Sequence, residues 1–358
     1  MSKFIFLIQT LLLITFAFTF TNCVNYSSDE DELQIQFSNF IQKYGKVYKS
    51  QKEKEYRFNI YKNNYQSIAL HNSQLHSTYK KAMNKFGDLT SKEFEKLYKP
   101  NKMFLNNSHH RSHHHPINNQ TNYCGNYTFQ NTSVPNIFDW RNIKGVVSPV
   151  KDQQQCGSCW AFSTVEALES FIAINSNTSV TNLSPQELVD CTSSYGNNGC
   201  NGGMMDSSFR YVIDKGGICS EDEIKYKGVD KKCKDCKTRY GENDVKNCYN
   251  IASGEELTMR EVVSRQPISI AIEADTATFQ FYSDGVITSV DCGTNLDHAV
   301  VIVGYNTKDD IDYWIVRNSW GEFWGNKGYV FIERNNVNNN TNTGICGIAM
   351  ASVFPSSH

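Results

Sequence analysis

From Phe4 to Phe20 the chain is almost wholly apolar, interrupted by Gln9, Thr10, Thr15 and Thr19 and preceded by Lys3. One positive charge before a short apolar run, with small and polar residues after it, reads as a secretory signal peptide. The run falls short of the ~20 residues that a membrane-spanning helix needs, and no later stretch is apolar enough to span. The pattern then changes. Residues about 29–99 are charged, and Glu53, Arg57, Ile60, Tyr61, Asn64, Ile68 and Asn72 recur at steps of three and four, predicting one long helix. Residues about 100–133 are rich in Asn, His, Ser and Thr and cannot bury a core, so they read as a linker, where proteases cut. From Val134 onward apolar periodicity returns. Ala161, Phe162, Val165, Leu168, Phe171 and Ile172 predict a buried helix starting after Ser158. The run HAVVIVGY, from His298, predicts a buried strand; Asn306 to Asp310 a polar turn; and DYWIVRNS, ending at Ser319, a second strand.

Composition adds less. The net charge of −2 over 358 residues offers no basic surface for nucleic acid. The 12 cysteines and the sequons at Asn25, Asn106, Asn119, Asn126, Asn131, Asn177, Asn182 and Asn339 suit an oxidising compartment, although an Asn-rich chain produces sequons by chance. The histidines at 109, 110 and 113–115 could form a metal site or a pH sensor, but a solvated linker tract explains them more simply.

The chemistry gathers in two places. The predicted helix places Cys159 in its first turn, where unsatisfied N–H groups and the helix dipole favour a thiolate. Cys156-x-x-Cys159 could be a redox pair or two structural thiols, but a redox motif calls for a βαβ context, and Trp160-Ala-Phe-Ser follows instead. A thiolate nucleophile needs a base, and after Val134 the histidines are His298 and the terminal His358. A hairpin centred near residue 308 would pair position 298 roughly with 318. His298 and Asn318 would then lie at one end, where an amide could fix the imidazole tautomer.

With Cys156-Gly-Ser-Cys159-Trp160 on the page, the chain resembles the papain-like cysteine proteases of the cathepsin L type. The helix at residues 53–72 resembles that family's inhibitory propeptide motif, with Tyr61 in place of Phe. Asn84-Lys-Phe86-Gly-Asp88 resembles a second propeptide motif, with Ala82 in place of Gly. The resemblance implies an α+β, two-lobed papain-like fold, a helical lobe and a β-barrel-like lobe, preceded by a helical propeptide. It implies a signal peptide over 1–23, an inhibitory propeptide over 24–133 and a cysteine peptidase domain over 134–358. Carried over by position, Cys159 is the nucleophile, His298 the general base and acid, and Asn318 its orienting partner. Trp320 shields that hydrogen bond, and Gln153 supplies the oxyanion hole with the backbone N–H of Cys159. A Cys–His ion pair is expected, with a thiol pKa on the order of 3–4.

Met205, Ala271, Leu296, Ala299 and Ala351 fall at the positions of the P2 pocket; Asp297 and Trp320 belong to the same substrate surface. Gly202 and Gly203 should let the substrate backbone approach as an added strand. The expected activity is that of a zymogen-derived endopeptidase preferring bulky apolar P2 residues. It acts on proteins and peptides as a monomer, without metal or cofactor, in an acidic lysosome-type vesicle or outside the cell. By resemblance Cys156 pairs with Cys200, Cys191 with Cys233, and Cys292 with Cys346. That leaves Cys124, Cys219, Cys236 and Cys248. The simpler expectation is one added local bridge and one free thiol. The alternative is a bridge from Cys124 that tethers a propeptide fragment, which in a relative makes an aminopeptidase. A noncatalytic scaffold, an inhibitor and a thioredoxin-like oxidoreductase are the remaining rivals. Gln154 stands where the family usually has Gly, and Ile224-Lys-Tyr226 replaces a common Tyr-Pro-Tyr.

Overall fold

A computed structural model describes residues 30–98, 123–288, 292–335 and 343–358. The expected signal peptide, most of the linker with its histidines, Cys23, and the sequons at Asn25, Asn106, Asn119 and Asn339 lie outside the described residues. The described residues divide into two compact units, one of residues 30–69 with 87–89 and one of residues 70–86 with those from 90 onward.

The smaller unit holds helix α1, residues 30–44, and most of α2, Gln51–Asn72. Its interior is aromatic: Phe37 stacks on Phe40 and Tyr48 and meets Phe58 and Tyr61 at 5.4 and 5.2 Å. The motif residues explain the helical spacing. Arg57 Nη1 donates to the Asp88 carbonyl at 2.9 Å, and Asn64 Nδ2 donates to the carbonyls of Gly87 and Leu89 at 2.9 and 3.0 Å. The Asp88 carboxylate receives Lys46 and Tyr48. One helix face thus tethers residues 87–89 by satisfying their backbone acceptors.

The larger unit begins with the end of α2, strand β1 (Tyr79–Lys81) and α3 (Ser91–Tyr98). After residue 122 come β2 (Gly125–Tyr127), β3 (Phe138–Asp139), α4 (Cys159–Asn175), α5 (Pro185–Cys191) and α6 (Met205–Lys215). Then follow β4 (Ile218–Cys219), β5 (Arg239–Tyr240), β6 (Asn247–Ile251), α7 (Glu256–Val263), β7 (Ile268–Ile272) and α8 (Ala277–Phe281). The chain finishes with β8 (Tyr282–Ile287), β9 (His298–Lys308), β10 (Ile311–Arg317), β11 (Tyr329–Glu333) and β12 (Ser352–Ser356).

Ten of these strands form one mixed sheet in the order β1-β8-β11-β10-β9-β7-β12-β6-β2, with β3 on β9. Helices α4, α5 and α6 gather on a core that includes Trp160, Leu168, Phe209 and Val212 and reaches Ala271, Ala299 and Val353 of the sheet. Helix α5 starts as its sequence dictates. Ser184 Oγ accepts the N–H of Glu187, and Pro185 occupies the first turn.

The predicted hairpin is present, with a different register. The turn is only Asp309-Asp310, both with φ above +50°, closing the pair Lys308–Ile311. Two consecutive left-handed residues match the right-handed twist of the flanking strands. An irregularity near Val303 shifts the ladder, and its last pair is Val301–Arg317. Asn318 is therefore not directly opposite His298.

Five disulfides cross the larger unit: Cys156–Cys200, Cys191–Cys233, Cys292–Cys346, Cys219–Cys236 and Cys124–Cys248. The expectation of one local bridge and one free thiol therefore fails in its second half. Cys219–Cys236 is the local bridge, spanning 17 residues, while Cys248 is held by Cys124. Among the described cysteines Cys159 alone keeps its thiol.

Candidate active site

Cys159 is the first residue of α4, and the helix is buried on nearly every side, with Glu166 and Glu169 among its buried residues. Two hydrogen bonds fix α4 against the sheet: Ser163 Oγ donates to the Val300 carbonyl at 2.8 Å, and Ser269 Oγ to the Ser163 carbonyl at 2.9 Å. Strand β9 opens at His298. The Cys159 thiol consequently lies on the backbone N–H of Ala299, next to the imidazole's own residue.

His298 Nε2 lies 2.7 Å from Asn318 Oδ1. Since an amide oxygen only accepts, Nε2 carries the proton and Nδ1 holds the lone pair. Nδ1 is buried and makes no hydrogen bond among the described residues. The Trp320 ring covers the imidazole at 4.7 Å between centroids. Gln153 is fully buried. Its Oε1 accepts Ser319 Oγ at 2.7 Å and its Nε2 donates to the Cys156 carbonyl at 3.0 Å, leaving one amide hydrogen. Below the loop, Tyr226 OH donates to the Gln153 carbonyl at 2.7 Å and meets Ser158 Oγ at 2.6 Å.

In this propeptide-bearing form burial opposes charge on both groups. Burial pushes the Cys159 thiol up to about 12, against the opposing N–H groups of Ala299 and Trp160. Burial also pushes the His298 imidazole down to about 4, against the Asn318 hydrogen bond. Desolvation in this form works against the ion pair expected from resemblance.

The propeptide end of the larger unit explains part of that burial. Strand β1 pairs antiparallel with β8, and Asn84 Nδ2 donates to the Gln280 carbonyl at 2.7 Å. Phe86 and Phe94 present ring edges to Trp320 at 5.8 and 5.3 Å, at 88° and 86°. Two apolar rings thus sit on the indole that covers His298.

Of the expected substrate residues, Met205, Ala271 and Ala299 are buried in one cluster, with Leu296 and Ala351 packed at its edge. A cavity of about 250 Å³ is lined by Met205 and Ala351, together with Met204, Ser352, Asn250 and Asn126. Asp297 points inward, and its Oδ1 accepts the Ala274 N–H at 2.8 Å. The two glycines are required by the backbone and the packing themselves. Gly202 holds φ +117°, and a Cβ on Gly203 would lie 2.7 Å from the Trp160 ring.

Sequence reasoning missed Ser319, Tyr226 and a buried ionic network behind the helix. There Arg317 pairs with Glu166 at 3.3 Å and reaches Ser148, while Lys151 and Ser148 both bind Glu169. No spacing rule announces it, because its members come from separate elements. Within the oxyanion-side loop, Gln154 adopts φ +56°, the conformation for which glycine is suited.

This site, a helix-start cysteine facing a strand-borne histidine with a propeptide strand alongside, is that of a cysteine peptidase zymogen. Residues 134–356 match the papain family cysteine protease profile and residues 37–94 the cathepsin propeptide inhibitor domain, so the chain belongs to the papain family of cysteine proteases and is made with its own inhibitory propeptide. It is 44% identical to the thiol protease SEN102 of Hemerocallis over 85% of this chain and 81% of that protein. It is 38% identical to vignain of Ricinus communis over 99% and 95%. The structure resembles digestive procathepsin L 3 of Tenebrio molitor larval midgut, with TM-score 0.78 and 36% identity, covering 90% of this chain and 99% of that one. No helix among the described residues is long and apolar enough to cross a membrane.

Proposed function

We propose that this protein is an endopeptidase that cleaves peptide bonds through a thioester on Cys159. The observation that carries the reading is the imidazole with Nε2 committed to Asn318 and Nδ1 unengaged, on the strand whose next N–H meets the Cys159 thiol. His298 Nδ1 takes the thiol proton as Sγ attacks the substrate carbonyl. The oxyanion is received by the backbone N–H of Cys159 and the remaining Gln153 amide hydrogen. The imidazolium then protonates the leaving amine, the thioester forms, and water deprotonated by His298 hydrolyses it. Asn318 holds the ring, and Ser319 and the Cys156 carbonyl hold Gln153, so neither donor reorganises during reaction.

Met205, Ala271, Leu296, Ala299 and Ala351 form an apolar site for P2. Burying a large apolar side chain there contributes roughly 1.5–3 kcal/mol. Substrates are proteins and peptides, and the enzyme works as a monomer. The secretory route rests on the apolar N-terminal run and the disulfides, and the exposed sequons Asn131, Asn177 and Asn182 are available for glycosylation. Its destination is an acidic lysosome-type vesicle or the exterior. The test is hydrolysis of internally quenched peptides with Phe or Leu at P2, comparing acid-activated wild type with Cys159→Ser. Cleavage by wild type alone, with products from internal bonds, is expected. Silence in both folded, processed proteins would remove the catalytic reading, and release of single N-terminal residues would replace endopeptidase by aminopeptidase.

A further inference from the structure

The last part of the expected linker, residues 124–132, is not the uncored tract its composition suggests but is built into the peptidase, with β2 as a strand. Cys124 is bonded to Cys248 of β6, and both residues are buried. Strand β2 then pairs parallel with β6, Gly125 opposite Tyr249 and Tyr127 opposite Ile251. The Tyr127 ring packs edge-on against Phe354 at 5.3 Å and Tyr249 at 6.3 Å. Beyond it the chain converges on Glu261, which is fully buried on α7. Glu261 Oε2 accepts the Gln130 N–H at 2.9 Å, and Oε1 accepts Thr132 Oγ1 at 3.1 Å and Tyr127 OH at 3.4 Å, beside Arg265 at 2.7 Å.

Strand β1 of the propeptide also pairs with the peptidase sheet, but residues 124–132 are in addition joined to it by a disulfide. Removing residues 124–132 would expose the outer edge of β6 and strip from a buried carboxylate every one of those donors except Arg265. The same strand reaches the substrate side. Asn126 lines the cavity shared with Met205 and Ala351, together with Ser352, whose buried hydroxyl has no hydrogen-bond partner among the described residues.

We infer that residues 124–132 remain part of the working peptidase after activation, and that Asn126 is a specificity-determining residue in the wall of its P2 pocket. The second half rests on the P2 reading given above; the first does not. Activation must then cut before Tyr123, or leave a second short chain joined through Cys124–Cys248. Either way the far side of the cavity that Met205 and Ala351 share is polar, with Asn126, Asn250, Ser352 and Asp206 in its wall. A P2 side chain with a polar tip on an apolar body, such as tyrosine, fits it better than phenylalanine alone would suggest.

The full-length proenzyme should be activated at acid pH, its free thiols alkylated without prior reduction, and the product examined by intact mass and peptide mapping. The expected result is Cys248 unalkylated and recovered in a peptide bridged to Cys124. An active enzyme that begins after Tyr127, with Cys248 alkylated and no linked chain, would overturn the retention. For the pocket, Asn126→Leu is assayed on peptides that differ only at P2, as Val, Leu, Phe or Tyr. A change of about fivefold or more in the Tyr-to-Phe ratio of kcat/KM is expected, because a polar wall discriminates by a hydrogen-bonding group. Unchanged ratios, or an equal loss on every peptide, would overturn the role of Asn126. A wild type indifferent to P2 would remove the P2 reading and the Asn126 role with it, while the mass result would still decide the strand.

Discussion

Phe86→Ala should open the zymogen. The ring is 2% exposed, and its neighbours are Phe94 at 5.1 Å and Trp320 at 5.8 Å. Truncating a buried phenylalanine costs about 3–5 kcal/mol. Phe94 is itself part of the propeptide, so only about half of that cost, ~2 kcal/mol, weakens the hold on Trp320. Since 1.4 kcal/mol is a factor of ten, the open population should rise about 30-fold. The assay is labelling of Cys159 in uncleaved zymogen by a peptidyl epoxide near neutral pH, where only opened molecules react. Leu75→Ala, at a side chain 95% exposed, is the control and should label at the wild-type rate. A folded Phe86→Ala zymogen that labels within threefold of wild type would refute the idea that these rings close the site.

Acid should destabilise the zymogen through His298. Its folded-state pKa of about 4 lies below the ordinary 6.5, so the stability owed to the neutral ring is complete above pH 6.5. That stability falls as pH drops from 6.5 to 4, by about 3 kcal/mol for a fully buried ring; denaturant titrations at pH 7 and 4.5 should show the loss, and His298→Gln should lessen it. Gln154→Gly should stabilise the protein by several tenths to about 1 kcal/mol, since it relieves a left-handed non-glycine residue. A lowered Tm for this variant would mean that the Gln154 side chain contributes more than its backbone costs.

Much of the site was legible because its chemistry sits in local patterns. A helix period starting after Ser158 placed Cys159 at an exposed-donor helix end, and an apolar strand opening with His298 gave a base. Both follow from side-chain periodicity, a property of neighbouring residues. The propeptide helix spacing was legible for the same reason, although its purpose was not. Arg57 and Asn64 face residues 87–89, whose carbonyls no helix pattern reveals.

What tertiary structure alone decided concerns distant partners and solvent. The hairpin register depended on an irregularity near Val303 and a two-residue left-handed turn, and neither has an unambiguous sequence signal. The choice between a free thiol and a Cys124–Cys248 bridge lay in which sulfurs the sheet brings together, and cysteine counting leaves that open. How strongly burial opposes charge on Cys159 and His298 was not legible, because desolvation depends on everything packed around a group, including Trp320 and the rings above it. Residue identity and spacing determined which groups could react. Burial and long-range packing determined how far charge on them is opposed in this form, and that a strand upstream of Val134 is woven into the sheet.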